Sequence, residues 1–589
     1  TLAKLGHELG CRFTAECVSP TMTSDGMLHY RETDIPMGEF WLRSPTHDKP
    51  NDMLDAIHGA HIYGKNIVQA EGFTQLRTMW DEHPGMIKTM LDRNYALGIN
   101  KIVYHVYVHN PWLDRKPGMT LDGIGLYMQR DQTWWNQGRA WVDYAKRCQA
   151  LLQRGVPVTD VAVFTGEDVP RRAVLPDRLV NSLPGIFGPE RVESERVRLA
   201  NVGQPQRTMP VGVKHSAGMA DPEKWVDPLN GYAYDSFNKD VLLRARAANG
   251  RMVLPSGASY AVVVFPLPDR MTPNRYRSDA VAAKIRELKA GGVTVLTEGE
   301  GLPYTEDSFV RFGVDRDFTA VEESAAADDL PAGDIAWVHR RDGNAEIYFV
   351  SNQREKSRSL RLSLRCGGKV PQLWNPVTGE RREAFGWTTD GRRTYLPLEL
   401  APNESVFVVL GRPAGGVMSG EAPAVLRDSV PLQLDWAVEF PGTGKTERWP
   451  ELRDWSRNAD EQIRYFSGTA VYRTEFRLQG TVDLAKKYHL DLGRVGVMAE
   501  VFLNGESCGI AWTYPYRVDV SRVLKAGRNE LRIEAVNTWA NRMIGVKEGR
   551  VSGEGVWTNA PYRLDRVPLC ESGVLGPLTL VIENRTDEK

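Results

Sequence analysis

The 589-residue chain is 42% hydrophobic and 25% charged with a formal net charge of -1, a composition that suits several folded domains, each burying its own core. That balance gives no electrostatic case for nucleic acid or an anionic membrane surface as partner, and no apolar run approaches the ~20 residues of a membrane-spanning helix. The six cysteines, Cys11, Cys17, Cys148, Cys366, Cys508 and Cys570, are scattered without a CxxC pair or zinc spacing, so they read as small apolar residues rather than bridges or metal ligands.

The chain opens with TLAKLGHELG, an amphipathic helix closed by Gly10, and continues into CRFTAECV, a strand with Glu16 at its end. Thr1 stands inside the helical pattern with neither an initiator Met nor a signal peptide. The sequence therefore reads as a fragment or processed piece whose compartment is not legible, secretion or a periplasmic location both being compatible. The long stretch SPTMTSDGMLHYRETDIPMGEFW, rich in turn formers, is expected to be an ordered functional loop carrying Glu32, Asp34, Glu39 and Trp41.

Residues 61 to 112 are the most informative part of the chain. The apolar runs NIVQA and KIVYHVY lead into Glu71 and into His105, His109 and Trp112 respectively, as buried parallel strands do. Between them, PGMIKTMLDRNYALG places Met86, Met90, Leu91 and Leu97 at near-helical spacing, with Pro84 at its start and Gly98 at its stop. This is a βαβ unit, and in a (β/α) barrel reactive side chains occupy the strand ends. The following segment is expected to set Trp134, Trp135, Trp141 and Tyr144 in one helix as a core stripe, with Gln132 and Trp135 within reach of sugar. Residues 1–155 are thus read as the C-terminal part of a (β/α) barrel.

From 156 to 325 the pattern is strand, helix (about 273 to 290), strand, a flavodoxin-like α/β domain, and GEG at 299 to 301 reads as a turn. Residues 326–412 alternate as a small antiparallel β-domain, 413–429 form a linker, and 430–589 carry period-two strands at the regular spacing of a jelly-roll β-sandwich. The sandwich is expected to fold alone from about residue 430. Its Trp512, Tyr514, Trp539 and Trp557 read as core more readily than as sugar platforms.

Hydrolysis of a sugar acetal needs two carboxyl groups, one to protonate the leaving oxygen and one to activate water or attack directly. An acid at a strand end is by itself more often a salt-bridge partner, but in AEGFT a Gly and an aromatic follow Glu71 directly, which favours a catalytic acid. Glu39, in PMGEFW, stands beside an aromatic pair suited to the floor of a sugar site, although it also reads as an acid tethering its own loop. His105 and His109 lack the helical spacing of zinc ligands and read first as hydrogen-bonding residues on a strand. Glu16, Asp34 and Glu39 offer hard oxygens for calcium without any EF-hand pattern.

Taken together, FTAEC, DIPMGEFW, AHIYGKNIVQAEGFT, GINKIVYHVYVHNPW, PGMTLDGIG, QTWWNQGRAWVDYAKRCQALLQRG, VFTGEDVP, YDSFN, LPSGASYAVVVFP and NTWANRMIG resemble the corresponding ordered motifs of the α-L-rhamnosidases of glycoside hydrolase family 106. The resemblance spans most of the chain. It implies a partial barrel ahead of α/β and β-sandwich domains, inverting hydrolysis of terminal α-L-rhamnosyl residues on an oligo- or polysaccharide, and calcium near the sugar. Carried over by position, Glu71 falls on the general base and Glu39 on an acid at the calcium and rhamnose subsite, with Trp41, His105, His109 and Trp112 around the substrate. The family's general acid lies on an earlier strand, upstream of Thr1. The competing expectation is a non-catalytic carbohydrate-binding or inactive module.

Overall fold

Four short strands, β1 (Thr14–Glu16), β2 (Ile35–Trp41), β3 (Gln69–Thr74) and β4 (Lys101–Tyr104), form a parallel sheet in sequence order. This is the order of neighbouring strands in a barrel. The computed structural model describes residues 2–17, 24–43, 50–180, 182–183, 186–187, 189–200, 225–266, 277–297, 314–323, 330–331, 333–420, 427–560, 564 and 567–584. The GEG turn expected at 299 to 301 and the start of the helix expected from 273 lie outside these residues. The observed part of that helix is Asp279–Ala290.

Helices α1 (Leu2–Glu8), α2 (Pro50–Ile62), α3 (Pro84–Leu97) and α4 (Arg139–Leu152) accompany the sheet. Side chains alternate across a strand. Gly38 faces α2 so closely that a Cβ there would stand 2.6 Å from the Asp52 carbonyl oxygen. The stretch DIPMGEFW is therefore a strand rather than the loop its Pro and Gly suggested. In α3 the buried positions include Ile87, Lys88, Leu91, Asp92, Asn94 and Tyr95; of the expected Met86, Met90, Leu91 and Leu97, Leu91 is buried and the other three are half-buried against the same core. Trp134 and Trp135 precede α4, whose buried stripe is Trp141, Tyr144, Ala145, Cys148 and Leu152.

A second parallel sheet joins Val161–Phe164, Tyr234–Phe237, Val262–Val264 and Thr294–Leu296. Numbered along the chain its strand order is 2-1-3-4, a doubly wound arrangement. The antiparallel region that follows is two sheets of five and six strands, which borrow Phe318–Glu322 and Val156–Pro157 from before residue 326. Part of the expected linker belongs to it as well, since Thr389 and Gly386 donate backbone hydrogen bonds to the Met418 and Gly420 carbonyls. From Arg427 onward a four-stranded and a six-stranded antiparallel sheet make up the C-terminal sandwich.

Two junctions bind these units. Lys88 and Asp92, both fully buried, lie 2.7 Å apart; Lys88 Nζ also donates to the Asn403 carbonyl and Ser405 Oγ at 2.8 and 2.9 Å, and Asp92 accepts from Tyr144 and Ser351. Such a pair persists in a dry interior because every partner is hydrogen-bonded. At the second junction Trp512, 1% exposed, packs edge-on against Trp141 and Tyr144 with centroid distances of 5.6 and 5.4 Å. Trp539 Nε1 donates to the Asp131 carbonyl at 2.7 Å. Val497, Met498 and Val536 of the sandwich share one apolar cluster with the first sheet and its helices.

These contacts weigh against an independent sandwich, since residues 430–589 alone would expose Trp512 and Trp539 to water. The isolated segment is expected to lack a cooperative thermal transition, and Trp512→Ala in the whole chain to cost about 3–5 kcal/mol, read from the denaturant midpoint. A sharp transition of the separate segment would show that the junction is dispensable.

Candidate active site

At the carboxyl end of the parallel sheet, β2 and β3 are in register with Glu39 directly beside Glu71. The register then skips a residue: Phe40 faces Gly72, and Trp41 faces Thr74. The extra residue is Phe73, fully buried with φ +68°, a left-handed backbone that is costly for an aromatic residue. Its ring packs edge-on against Phe40 at 5.1 Å and against Trp141 at 6.1 Å, which offsets that cost. Gly72 keeps the site open for these rings, because a Cβ there would stand 2.2 Å from Ile102 Cδ1 and 2.8 Å from Phe40 Cζ. The bulge brings Thr74 round so that its Oγ1 donates to Glu71 Oε1 at 2.6 Å. His105, the residue after β4, places Nε2 3.8 Å from the same oxygen, and the Glu71 side chain remains 23% exposed.

Glu16 completes the acidic face. Its strand neighbour is Met37, two residues before Glu39, so Glu16 points the same way as Glu39 and Glu71 from one strand further on. Burial, then the charges of Glu39 and Glu71, pushes its carboxyl up to about 8. Its Oε1 is buried with no hydrogen-bond partner among the described residues. A carboxyl so placed is suited to a proton or a cation. Asp34, expected beside it as a calcium ligand, precedes the opposite end of β2. There it accepts from the Phe13 amide and pairs with His7 Nε2, both at 2.7 Å. A strand rises ~3.3 Å per residue, so Asp34 and Glu39 cannot close on one ion. Among the described residues no three His, Cys, Asp or Glu side chains converge as a metal cluster.

The remaining expected residues divide. Trp41 ends β2, one residue past the register shift. His109 is exposed in an irregular segment rather than on a strand, because β4 stops at Tyr104. Trp112 lies further along that segment, 37% exposed, against Trp557 of the sandwich. Thr74 was passed over in reading the sequence, although its place three residues after Glu71 in EGFT was the available signal.

The α-L-rhamnosidase family model matches residues 2–200 and 304–388, and the solved rhamnosidase of Novosphingobium sp. PP1Y is 30% identical over 99% of this chain and 54% of its own, with a TM-score of 0.79. Over these residues the chain is similar to α-L-rhamnosidases, a likeness that supports a glycosidase. A galactose-binding domain-like model of glycosyl hydrolase family 2 matches residues 452–559. A Formosa agariphila protein carrying the name β-glucuronidase is 25% identical over 92% of the chain and 63% of its own length. The chain thus spans between half and two thirds of the length of these two relatives.

The Glu16 carboxyl supplies a test of the acidic face. Its folded value of about 8 lies above the ordinary 4.5. The folded state therefore keeps a proton that the unfolded state releases between those values, and stability falls as pH rises through that window. Glu16→Gln removes this slope. In chelator, the Tm of the variant relative to the parent is expected to grow steadily from about pH 5 to about pH 8; a pH-independent difference would show that Glu16 is ionised in the folded protein.

Proposed function

We propose that this chain carries the general base and part of the sugar site of an enzyme that removes terminal α-L-rhamnosyl residues from a rhamnose-containing oligo- or polysaccharide with inversion. In this reading the parallel sheet is one part of a (β/α) barrel. The observation that carries the proposal is Glu71, held by Thr74 at a strand end and still open to solvent. Thr74 and His105 both address Oε1, so the proposal gives Oε2 to the attacking water, whose proton Glu71 takes as the water adds to the anomeric carbon.

An inverting pair of carboxyls stands about 6.5 to 9.5 Å apart across the substrate. Glu39, on the adjacent strand ~4.8 Å away, shares a wall with Glu71 and cannot face it. The proposal therefore assigns Glu39 to sugar hydroxyls and takes the proton donor from a residue outside this chain. Calcium is part of the same reading: Glu16, with its unpartnered buried oxygen, and Glu39 are the hard donors that would hold it, and a bound ion would supply charge neutralisation to the crowded acids. Asp34 has no part in it. A non-catalytic carbohydrate-binding module is the competing reading, favoured by the galactose-binding-like match alone.

Glu71→Gln in the full protein keeps the shape and removes the proton acceptor, so kcat on a rhamnoside is expected to fall at least ~100-fold while rhamnose affinity is retained. Near-normal turnover would remove Glu71 from the mechanism, and a parent that binds rhamnosides without cleaving them would establish the module. Thorough chelation is expected to lower activity, with recovery on adding calcium but not magnesium, which demands a smaller octahedral site. Turnover indifferent to chelator would dismiss the ion.

A further inference from the structure

We infer that Trp557 of the C-terminal sandwich, with Trp112 and Arg115 of the sheet domain, forms a subsite for the ring to which the terminal rhamnose is attached. This rests on the rhamnosidase reading and deepens it, since the ligand it names has a flat apolar ring face next to the rhamnose.

The first observation is exposure. Trp512 and Trp539, which serve the junction between the two domains, are buried. Trp112 is open to solvent and Trp557 is half-buried, which is not how an indole used only as filler sits. Their centroids are 5.3 Å apart and their planes 78° inclined, so the two faces make a corner. Above it the Arg115 guanidinium lies 5.4 Å from one ring and 5.9 Å from the other, adding donors at the rim. The C–H face of a pyranose, or an aromatic aglycone, packs on an indole while donors at the edge take its hydroxyls.

The second observation is rigidity. A strand in the sheet domain (β5, Lys116–Gly118) pairs in parallel with Val556–Thr558 of the sandwich, so Trp557 stands opposite Pro117. Lys116 donates its backbone N–H to the Gly555 carbonyl at 2.9 Å. Thr120 donates from its N–H and Oγ1 to Asn559 Oδ1 at 2.7 and 2.8 Å. On the other side the Arg130 guanidinium donates to the Asn110 and Trp112 carbonyls. Two domains thus hold the exposed Trp112 and the half-buried Trp557 in a fixed relation, as preorganised ligand contacts require.

The third is position. The segment that ends in Trp112 begins at His105, whose Nε2 is 3.8 Å from Glu71, so a short run of chain connects the corner to the proposed base. Tyr107 and Leu113 on the same segment are also largely exposed, extending the apolar rim.

The test measures binding in the full protein by calorimetry, in a Glu71→Gln background so that ligands stay intact. The three ligands are L-rhamnose, a rhamnosyl-pyranose disaccharide and an aryl rhamnoside. Trp557→Ala is expected to weaken the disaccharide or the aryl rhamnoside about tenfold and to leave L-rhamnose unchanged, with Trp557→Tyr restoring most of the loss. A loss confined to the disaccharide identifies a sugar as the neighbouring ring, and one confined to the aryl rhamnoside identifies an aromatic aglycone. Trp112→Ala, on the opposite side of the junction, is expected to repeat the pattern, and decides the matter should Trp557→Ala not fold. Unchanged affinity for both extended ligands, or an equal loss for rhamnose itself, overturns the subsite. Turnover of the parent on the same rhamnosides tests the hydrolase reading separately.

Discussion

Parallel strands in register bring equivalent positions within ~4.8 Å of each other, so once β2 and β3 align, Glu39 and Glu71 stand side by side whatever their charges prefer. Much of the surrounding structure manages that crowding. The bulge at Phe73 turns Thr74 onto Glu71 and fixes its carboxylate. Glu16, one strand away and more enclosed, is the member of the group held in its protonated form through the neutral range. A face built this way is unfavourable when empty and favourable when a proton, a cation or hydroxyl groups satisfy it.

The opposite face of the sheet obeys a different demand. Helix α2 lies against β2 closely enough that only glycine fits at position 38, and α3 and α4 carry a buried charge pair and an aromatic stripe outward to other domains. Lys88 and Asp92 receive their partners from the antiparallel sheets, while Trp141 and Tyr144 receive Trp512 from the sandwich. The acidic face is thus held from behind by elements drawn from over four hundred residues of chain, which limits how far Glu71 and its neighbours can drift.

The βαβ unit around Glu71 was legible because its signals are local: two apolar runs, a Pro-started and Gly-stopped helix, and an acid where a run ends. The strand holding Glu39 was not. Pro36 and Gly38 read as punctuation, whereas Gly38 meets a close approach from a helix that follows later in the chain, and proximity of that kind leaves no local mark. The same holds for Lys88 and Asp92, two charged residues that are sealed in the fold by strands more than 250 residues away. Nothing local distinguishes Trp512 from Trp557, and only the packing of one against α4 residues and the pairing of the other beside β5 separates a core residue from a half-buried one.

The Trp512 contact also has a bearing on how the chain is made. Trp141 and Tyr144 leave the ribosome 371 and 368 residues before the indole that covers them, a delay of roughly 20 to 70 s at ordinary elongation rates. For that interval the aromatic patch of α4 lacks its cover, with the Asp92 network beside it equally unfinished until Ser351 and Ser405 arrive. The sandwich is therefore a later-made cap on an earlier-made domain, and a nascent chain halted between them would be a natural client for the chaperones that hold exposed apolar surface.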